Sequence, residues 1–175
     1  MLRRFLSVIL PVAVVGAAEP LKLKTITYRG GVIMFCIPAA WKEEYQPEGG
    51  GTFYDERHAG SGTLRLNVIT AKAPAGKFPP DGLSYFTAKP QSGDTRLSKT
   101  PRGDGMKFYR QDGEEAHQRL HVYTWEIVHC APPDTLRIAI FTWTLLAAQS
   151  EEPRFKKEIE LLDDEIAKAH FHRDL

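Results

Sequence analysis

Residues 118–146 read QRLHVYTWEIVHCAPPDTLRIAIFTWTLL, and their pairing decides the fold. Two strand patterns, Gln118 to His129 and Thr135 to Leu146, flank Ala131-Pro132-Pro133-Asp134. Proline and aspartate mark a turn, so the two patterns read as antiparallel neighbours. Loop length then sets the register. A five-residue loop over 131–135 puts His129 opposite Arg137 and Trp125 opposite Phe141. Tyr123, Trp125, Phe141 and Trp143 then share one face. Val122, Val128, Ile138 and Ile140 fall on the other, which is expected to receive the closing helix. A loop of two or four residues shifts the register by one and splits the aromatics between faces. The shared patch has two readings. It is core beneath the middle segment, or it is a ligand- or partner-binding surface of Tyr123, Trp125, Phe141 and Trp143. Glu126 points away from Trp125, and under a helix it would need a partner.

Downstream, Phe155, Ile159, Leu162, Ile166 and Ala169 recur at the spacing of one helix face, predicting an amphipathic helix over about 151–170. Ser150 is the expected N-cap, ahead of Glu151, Glu152 and Pro153. His170, His172 and Arg173 complement the negative end of the helix dipole.

Upstream, Leu21 to Thr27 alternates, Arg29-Gly30-Gly31 turns, and Val32 to Ile37 runs apolar to Pro38. These predict a hairpin with a buried second strand. Thr52 to Asp55 and Thr63 to Thr70 are further strands, split by His58-Ala59-Gly60-Ser61-Gly62. Prolines punctuate 71–104, leaving room for a short helix from Asp81 to Ala88 capped by Asp81. Gly105 to Gln111 is a strand that ends at a Gly113 turn. The fold class is α+β: an antiparallel β-sheet with the amphipathic C-terminal helix packed on it.

The order of these motifs resembles the PsbP-like domains, including the bacterial periplasmic DcrB-like proteins. The resemblance is carried by a strand ending Ile37-Pro38 before Trp41, and a glycine-rich turn into Thr52-Phe53-Tyr54. The strand Thr63 to Thr70, the Tyr123-Trp125 and Phe141-Thr142-Trp143 strands and the final helix complete it. It covers most of residues 25–170. It implies an α/β/α sandwich and an accessory or binding role, with no shared catalytic constellation. DcrB-like proteins often carry a lipid-anchoring cysteine that is missing here, which implies a freely soluble protein.

The whole chain has 175 residues, 42% of them apolar, and a formal charge of +1. That is one domain's worth of chain with enough apolar residues for a core. The near-zero charge excludes a strongly basic nucleic-acid binder. Arg3 and Arg4 precede an uncharged run of 14 residues, Phe5 to Ala18, ending in Val15-Gly16-Ala17-Ala18. This is the pattern of a signal peptide over 1–18, cut after Ala17 or Ala18, leaving a single domain over 19–175. Pro11 interrupts the run, and a spanning helix needs about 20 residues, so no membrane span is expected after cleavage. Cleavage removes two arginines, leaving 21 basic against 22 acidic residues, a charge of −1. The expected location is the periplasm or the exterior.

Export exposes Cys36 and Cys130 to oxidation. A disulfide between them would constrain the unfolded chain by about 4 kcal/mol. The alternative is two unpaired thiols acting as small apolar residues.

His117, His121 and His129 lie close in sequence, but strand positions four apart are separated by about 13 Å. Two zinc ligands must each come within about 2.1 Å of the metal, so these three make no local site. Glu43-Glu44, Glu114-Glu115, Glu151-Glu152 and Asp163-Asp164 read as surface pairs, not carboxyls facing across a cleft. Gly60-Ser61-Gly62 lacks the setting of a nucleophile elbow, and Gly49-Gly50-Gly51 is no P-loop. No catalytic residue, metal or cofactor is therefore expected. The leading expectation is an exported, soluble, non-catalytic binding or accessory protein with an unknown protein or small-molecule partner in the envelope. One alternative is an immunity protein that neutralises a secreted effector. The other is a small hydrolase, which requires two of His58, His117, His121 and Glu126 to converge in a pocket.

Overall fold

The structure, a computed structural model, describes residues 21–58, 60–75, 77–88 and 94–172, so the expected signal peptide and Arg173 lie outside the described residues. The first strands are β1 (Leu23–Tyr28), β2 (Ile33–Pro38), β3 (Lys42–Tyr45), β4 (Gly51–Tyr54) and β5 (Thr63–Lys72). Helix α1 (Gly82–Thr87) precedes β6 (Arg96–Lys99), β7 (Gly105–Glu115), β8 (Gln118–Ala131) and β9 (Thr135–Leu146). Helix α2 (Pro153–Ala167) and β10 (His170–Phe171) close the chain. Seven strands form one antiparallel sheet in the order β3-β4-β5-β9-β8-β7-β6, and three form a second in the order β1-β2-β10. The α+β class with a packed C-terminal helix is the fold observed. No helix among the described residues is long and apolar enough to cross a membrane.

In the β8–β9 pair, His129 lies opposite Arg137, Trp125 opposite Phe141 and Tyr123 opposite Trp143. This is the register that a loop over 131–135 implies. It puts the four aromatics on one face, where Trp125, Phe141 and Trp143 have no exposed area and Tyr123 is buried. The β1–β2 hairpin covers part of this face. Phe35 of β2 meets Phe53 and Phe141 edge-on at 5.4 and 5.0 Å. Helix α2 covers the rest with Phe155, Leu162 and Ile166, and Phe155 lies 6.0 Å from the Trp143 ring.

Two expectations are corrected here. The closing helix lies on the aromatic face, not on the aliphatic one. The aromatic patch is core beneath α2 and the N-terminal hairpin, so it offers no binding surface: side chains without exposed area cannot touch a partner. The short helix α1 takes one end of the aliphatic face instead, packing Phe86 on Val128, Leu136 and Ile138. Asp81 caps α1 as expected, accepting from the Ser84 amide at 2.8 Å. Gly82 lies directly on the backbone of Gly105 and Val128, and a Cβ there would overlap both strands.

Cys36 and Cys130 are free thiols. Cys36 points away from the core on β2, 3.6 Å from the Thr25 hydroxyl. Cys130 faces the α1 side of the large sheet, so that sheet lies between the two sulfurs and no bridge forms.

Three local readings also change. Strand β7 continues through Gly113 and turns at Ala116-His117, whose φ values of 48° and 62° suit a tight two-residue hairpin turn. Helix α2 starts at Pro153 with Glu152 at the N-cap, while the Ser150 hydroxyl donates to the Ala147 carbonyl at 2.8 Å in a preceding 3₁₀ turn. Glu126 lies on the face away from α2 and is partnered by Lys107 at 3.7 Å.

Core position and outer position should differ sharply in cost. Phe155→Ala is expected to lower the unfolding free energy by about 3–5 kcal/mol. Val122→Ala, on the half-open outer face, should cost about 1 kcal/mol or less. Urea denaturation of both variants reads the contrast.

Candidate functional site

The connection between β4 and β5, residues 55–62, is held by one carboxylate. Asp55 is 7% exposed. Its Oδ1 accepts from the Arg57 amide at 3.1 Å and from Arg57 Nε at 2.8 Å, and its Oδ2 accepts from Arg57 Nη2 at 2.8 Å. This is a two-pronged guanidinium–carboxylate pair, the strongest geometry such groups adopt. Oδ2 also lies 2.9 Å from His58 Nδ1. An ionised carboxylate only accepts, so Nδ1 carries the hydrogen. The Arg57 guanidinium, against burial and with help from His58, holds the Asp55 carboxyl far below the usual carboxylate range. The loop closes on itself through the Ser61 amide to the His58 carbonyl at 3.1 Å and the Ser61 hydroxyl to the Asp55 carbonyl at 3.0 Å.

Helix α2 faces this loop with Glu158. Burial pushes the Glu158 carboxyl up, against the pull of Arg154. Its Oε2 is buried without a hydrogen-bond partner, as are Arg154 Nε, Gln149 Oε1 and Trp143 Nε1. Glu158, Gln149 and Trp143 border the same loop. Gly62 sits on the Trp143 indole so closely that a Cβ would overlap the ring, and Gly60 sits on the Gln149 amide. Glu158 lies within the fields of Asp55, His58 and Arg154. Among the described residues, Ser98 Oγ is the other buried polar atom in this state. Buried polar groups normally find partners, and ordered water is the usual one at such positions.

A cavity flanks the loop on each side. One of about 320 Å³ lies between the Pro38–Trp41 turn and α2, walled by Trp41, Leu161, Asp55, Arg57 and Glu158. The other, of about 220 Å³, is walled by Gly60, Ser61, Arg65, Glu115 and Gln149. A larger hollow of about 610 Å³ opens beside His121 and Glu151. Its histidine and its carboxylate are already engaged, His121 with Asp112 at 2.7 Å and Glu151 with Lys156 at 2.7 Å. The cavity at Trp41 is therefore the better candidate, because it joins an apolar wall to the Glu158 side chain, which no hydrogen bond or ion pair engages among the described residues.

The residues expected to converge in a hydrolase stay apart. His58 is on the 55–62 loop, His117 is fully exposed at the β7–β8 turn, His121 is paired on β8 and Glu126 lies on the outer face. His129 is bound to Asp104 at 2.7 Å. Asp55, His58 and Ser61 share one loop, but the Ser61 hydroxyl is directed to a main-chain carbonyl, not to the imidazole, so it is not set as an activated nucleophile. Among the described residues, no three His, Cys, Asp or Glu side chains gather closely enough to hold a metal ion. The residue that sequence reasoning missed is Glu158. Its signal was a carboxylate three residues after Phe155 and four before Leu162, on the apolar stripe of the helix.

No protein-family model matches the sequence, and no curated protein does. Solved structures do. A protein of Bacteroides thetaiotaomicron superposes with a TM-score of 0.59 at 14% identity, over 86% of this chain and 49% of that one. The chain thus spans about half the length of that protein. LpqN of Mycobacterium tuberculosis, involved in cell envelope biogenesis, superposes with a TM-score of 0.52 at 11% identity, over 83% of this chain and 89% of LpqN. Cyanobacterial PsbP from Synechocystis sp. PCC 6803 aligns over 90% of this chain and 96% of its own, at 11% identity and a TM-score of 0.39. The superpositions on the Bacteroides thetaiotaomicron protein and on LpqN show a shared fold.

The two acids at the loop should respond to pH in opposite senses. The lowered Asp55 carboxyl contributes stability above the ordinary aspartate range, and this is lost as pH falls below about 4. Asp55→Asn should cost about 1–3 kcal/mol near neutral pH, and the deficit should shrink on acidification. The raised Glu158 carboxyl makes the fold less stable as pH rises past about 4.3. Glu158→Gln should therefore raise Tm near neutral pH and leave it unchanged near pH 4. Calorimetry across this range reads both effects.

Proposed function

We propose that the protein is an exported, non-catalytic accessory domain of the bacterial envelope that holds a small ligand in the cavity at Trp41. The observation that carries this reading is the cavity itself, where the Glu158 side chain joins Lys22, Asp55 and Arg57 beside an apolar wall of Leu21, Pro38, Ala39, Ala40, Trp41 and Leu161. Apolar walls with few convergent polar groups are the usual form of a small-molecule site. A carboxylate in that lining, with Arg57 already engaged by Asp55, favours a ligand with an apolar body and an N–H or O–H donor. Arg57 stands at the same wall, committed to Asp55. The envelope assignment is supported by the signal-like residues 1–18 and by a fold shared with LpqN, itself an envelope-biogenesis protein.

Phenethylamine, an apolar ring with a donor, is a suitable probe. Its titration should shift the backbone amide resonances of Ala39, Ala40, Trp41 and Leu161, leaving the hollow at His121 unaffected. Glu158→Gln should weaken that binding by about tenfold, the worth of one charged hydrogen bond. Shifts scattered over the surface, or unaltered binding in the variant, would remove the reading. Cell fractionation with N-terminal sequencing tests the export half: the expected product begins at Ala18 or Glu19, and a cytoplasmic protein retaining Met1 refutes it.

A further inference from the structure

Besides its short edge strands β3 and β6, the large sheet has two long stretches of strand edge that no other strand covers among the described residues. β3 and β6 are four residues each and carry Lys42, Glu43 and Glu44, and Arg96 and Lys99. β6 pairs only with Gly105–Phe108 of β7, so Tyr109–Glu115 extends past it, and this overhang carries Arg110, Asp112, Glu114 and Glu115. Charges and short strands are the usual devices that keep an edge from pairing with another chain. The remaining open edge has neither. β4 pairs only with Thr63–Leu66 of β5, and Asn67–Lys72 has no strand on that side among the described residues. Asn67, Val68, Ile69, Thr70 and Ala71 carry no charge and no proline, and three of the five are β-branched. Asn67, Ile69, Thr70 and Lys72 are all exposed, so from position 69 the strand stands free on both faces.

The side chains on this edge form an unfinished row. Val128 lies opposite Ile138 on β8 and β9, and Ile138 lies opposite Ile69 on β5. Val128 and Ile138 are buried, but Ile69 is 48% exposed because nothing follows it. An antiparallel partner strand with an apolar residue opposite Ile69 would complete the row. We propose that this partner is a second copy of the same chain, joined through β5 about a two-fold axis with Ile69 opposite Ile69 of the other copy. An antiparallel edge is self-complementary under such an axis. The same register sets Asn67 opposite Ala71 and Val68 opposite Thr70, with no like charges facing. The row then runs Val128, Ile138, Ile69 and back through the second copy in reverse, converting two seven-stranded sheets into one. The near-neutral chain, at +1, adds little repulsion between copies. Five residues, Asn67–Ala71, can pair in this register because β4 already covers Leu66; that edge is about 17 Å long and the interface small, so the dissociation constant should be on the order of micromolar.

Sedimentation velocity of the protein as processed by the cell, between about 1 and 200 μM, should show a concentration-dependent monomer–dimer equilibrium. Ile69→Lys, at an exposed site, should weaken association by at least about tenfold with Tm little changed. In a Cys36→Ser, Cys130→Ser background, Ile69→Cys should give a covalent dimer on mild oxidation, whereas Asn67→Cys should not, because Asn67 faces Ala71 in this register. A wild-type chain that stays monomeric throughout, a dimer that survives Ile69→Lys, or crosslinking at Asn67 instead of Ile69 would each overturn the proposal.

Discussion

The constraint on which the rest of the structure depends is the cross-strand pairing of β8 with β9. Trp125 opposite Phe141 and Tyr123 opposite Trp143 put four large rings on one face of the sheet. A shift of one residue would divide them, leaving neither face apolar enough to seat both a helix and a hairpin. With the register as it is, the inner face requires large partners, and Phe35, Phe155, Leu162 and Ile166 supply them. The outer face is left with Thr124, Thr142, Val122 and Ile140, small enough to need only the partial cover of α1.

The same arrangement positions the candidate site. Helix α2 is held down by Phe155, and Glu158 follows on the adjacent turn, so the anchoring of the core brings a carboxylate against the Asp55 loop. Asp55 answers by binding Arg57 and His58 within its own loop, leaving Glu158 without a cation in hydrogen-bond contact. One acid is fully satisfied and the other is not, at the edge of one cavity. That asymmetry is what an occupant would resolve.

Much of the fold was legible because it rests on local chemistry. Pro132-Pro133-Asp134 fixes the length of the β8–β9 turn, Asp81 has the spacing of a cap, and Phe155 to Ala169 has the period of a helix. What was illegible rests on competition between distant surfaces. Residues 122–146 are apolar on both faces, so the choice of face for α2 depended on which partner filled it better. β3 and β6 are charged four-residue strands with no apolar alternation, and only their neighbours in the ladder make them strands. Ser150 has the chemistry of a cap, but a 3₁₀ turn uses its hydroxyl first. At the site, the Asp55–Gly62 stretch reads only as a turn, since its meaning comes from a helix nearly one hundred residues later.

The small sheet pairs His170 and Phe171 with Met34 and Ile33, joining the last described strand to the second. The cover over the aromatic face is thus made from residues 23–38 and 153–171, while the face itself lies between them in sequence. Until α2 and β10 are available, Trp125, Phe141 and Trp143 have only the hairpin to shelter them. Loop closure over such separations comes late and is costly in entropy, so folding is expected in milliseconds to seconds rather than microseconds. A polypeptide built this way stays open until residues 153–171 have been made. Neither β1–β2 nor α2–β10 can be removed without uncovering the middle.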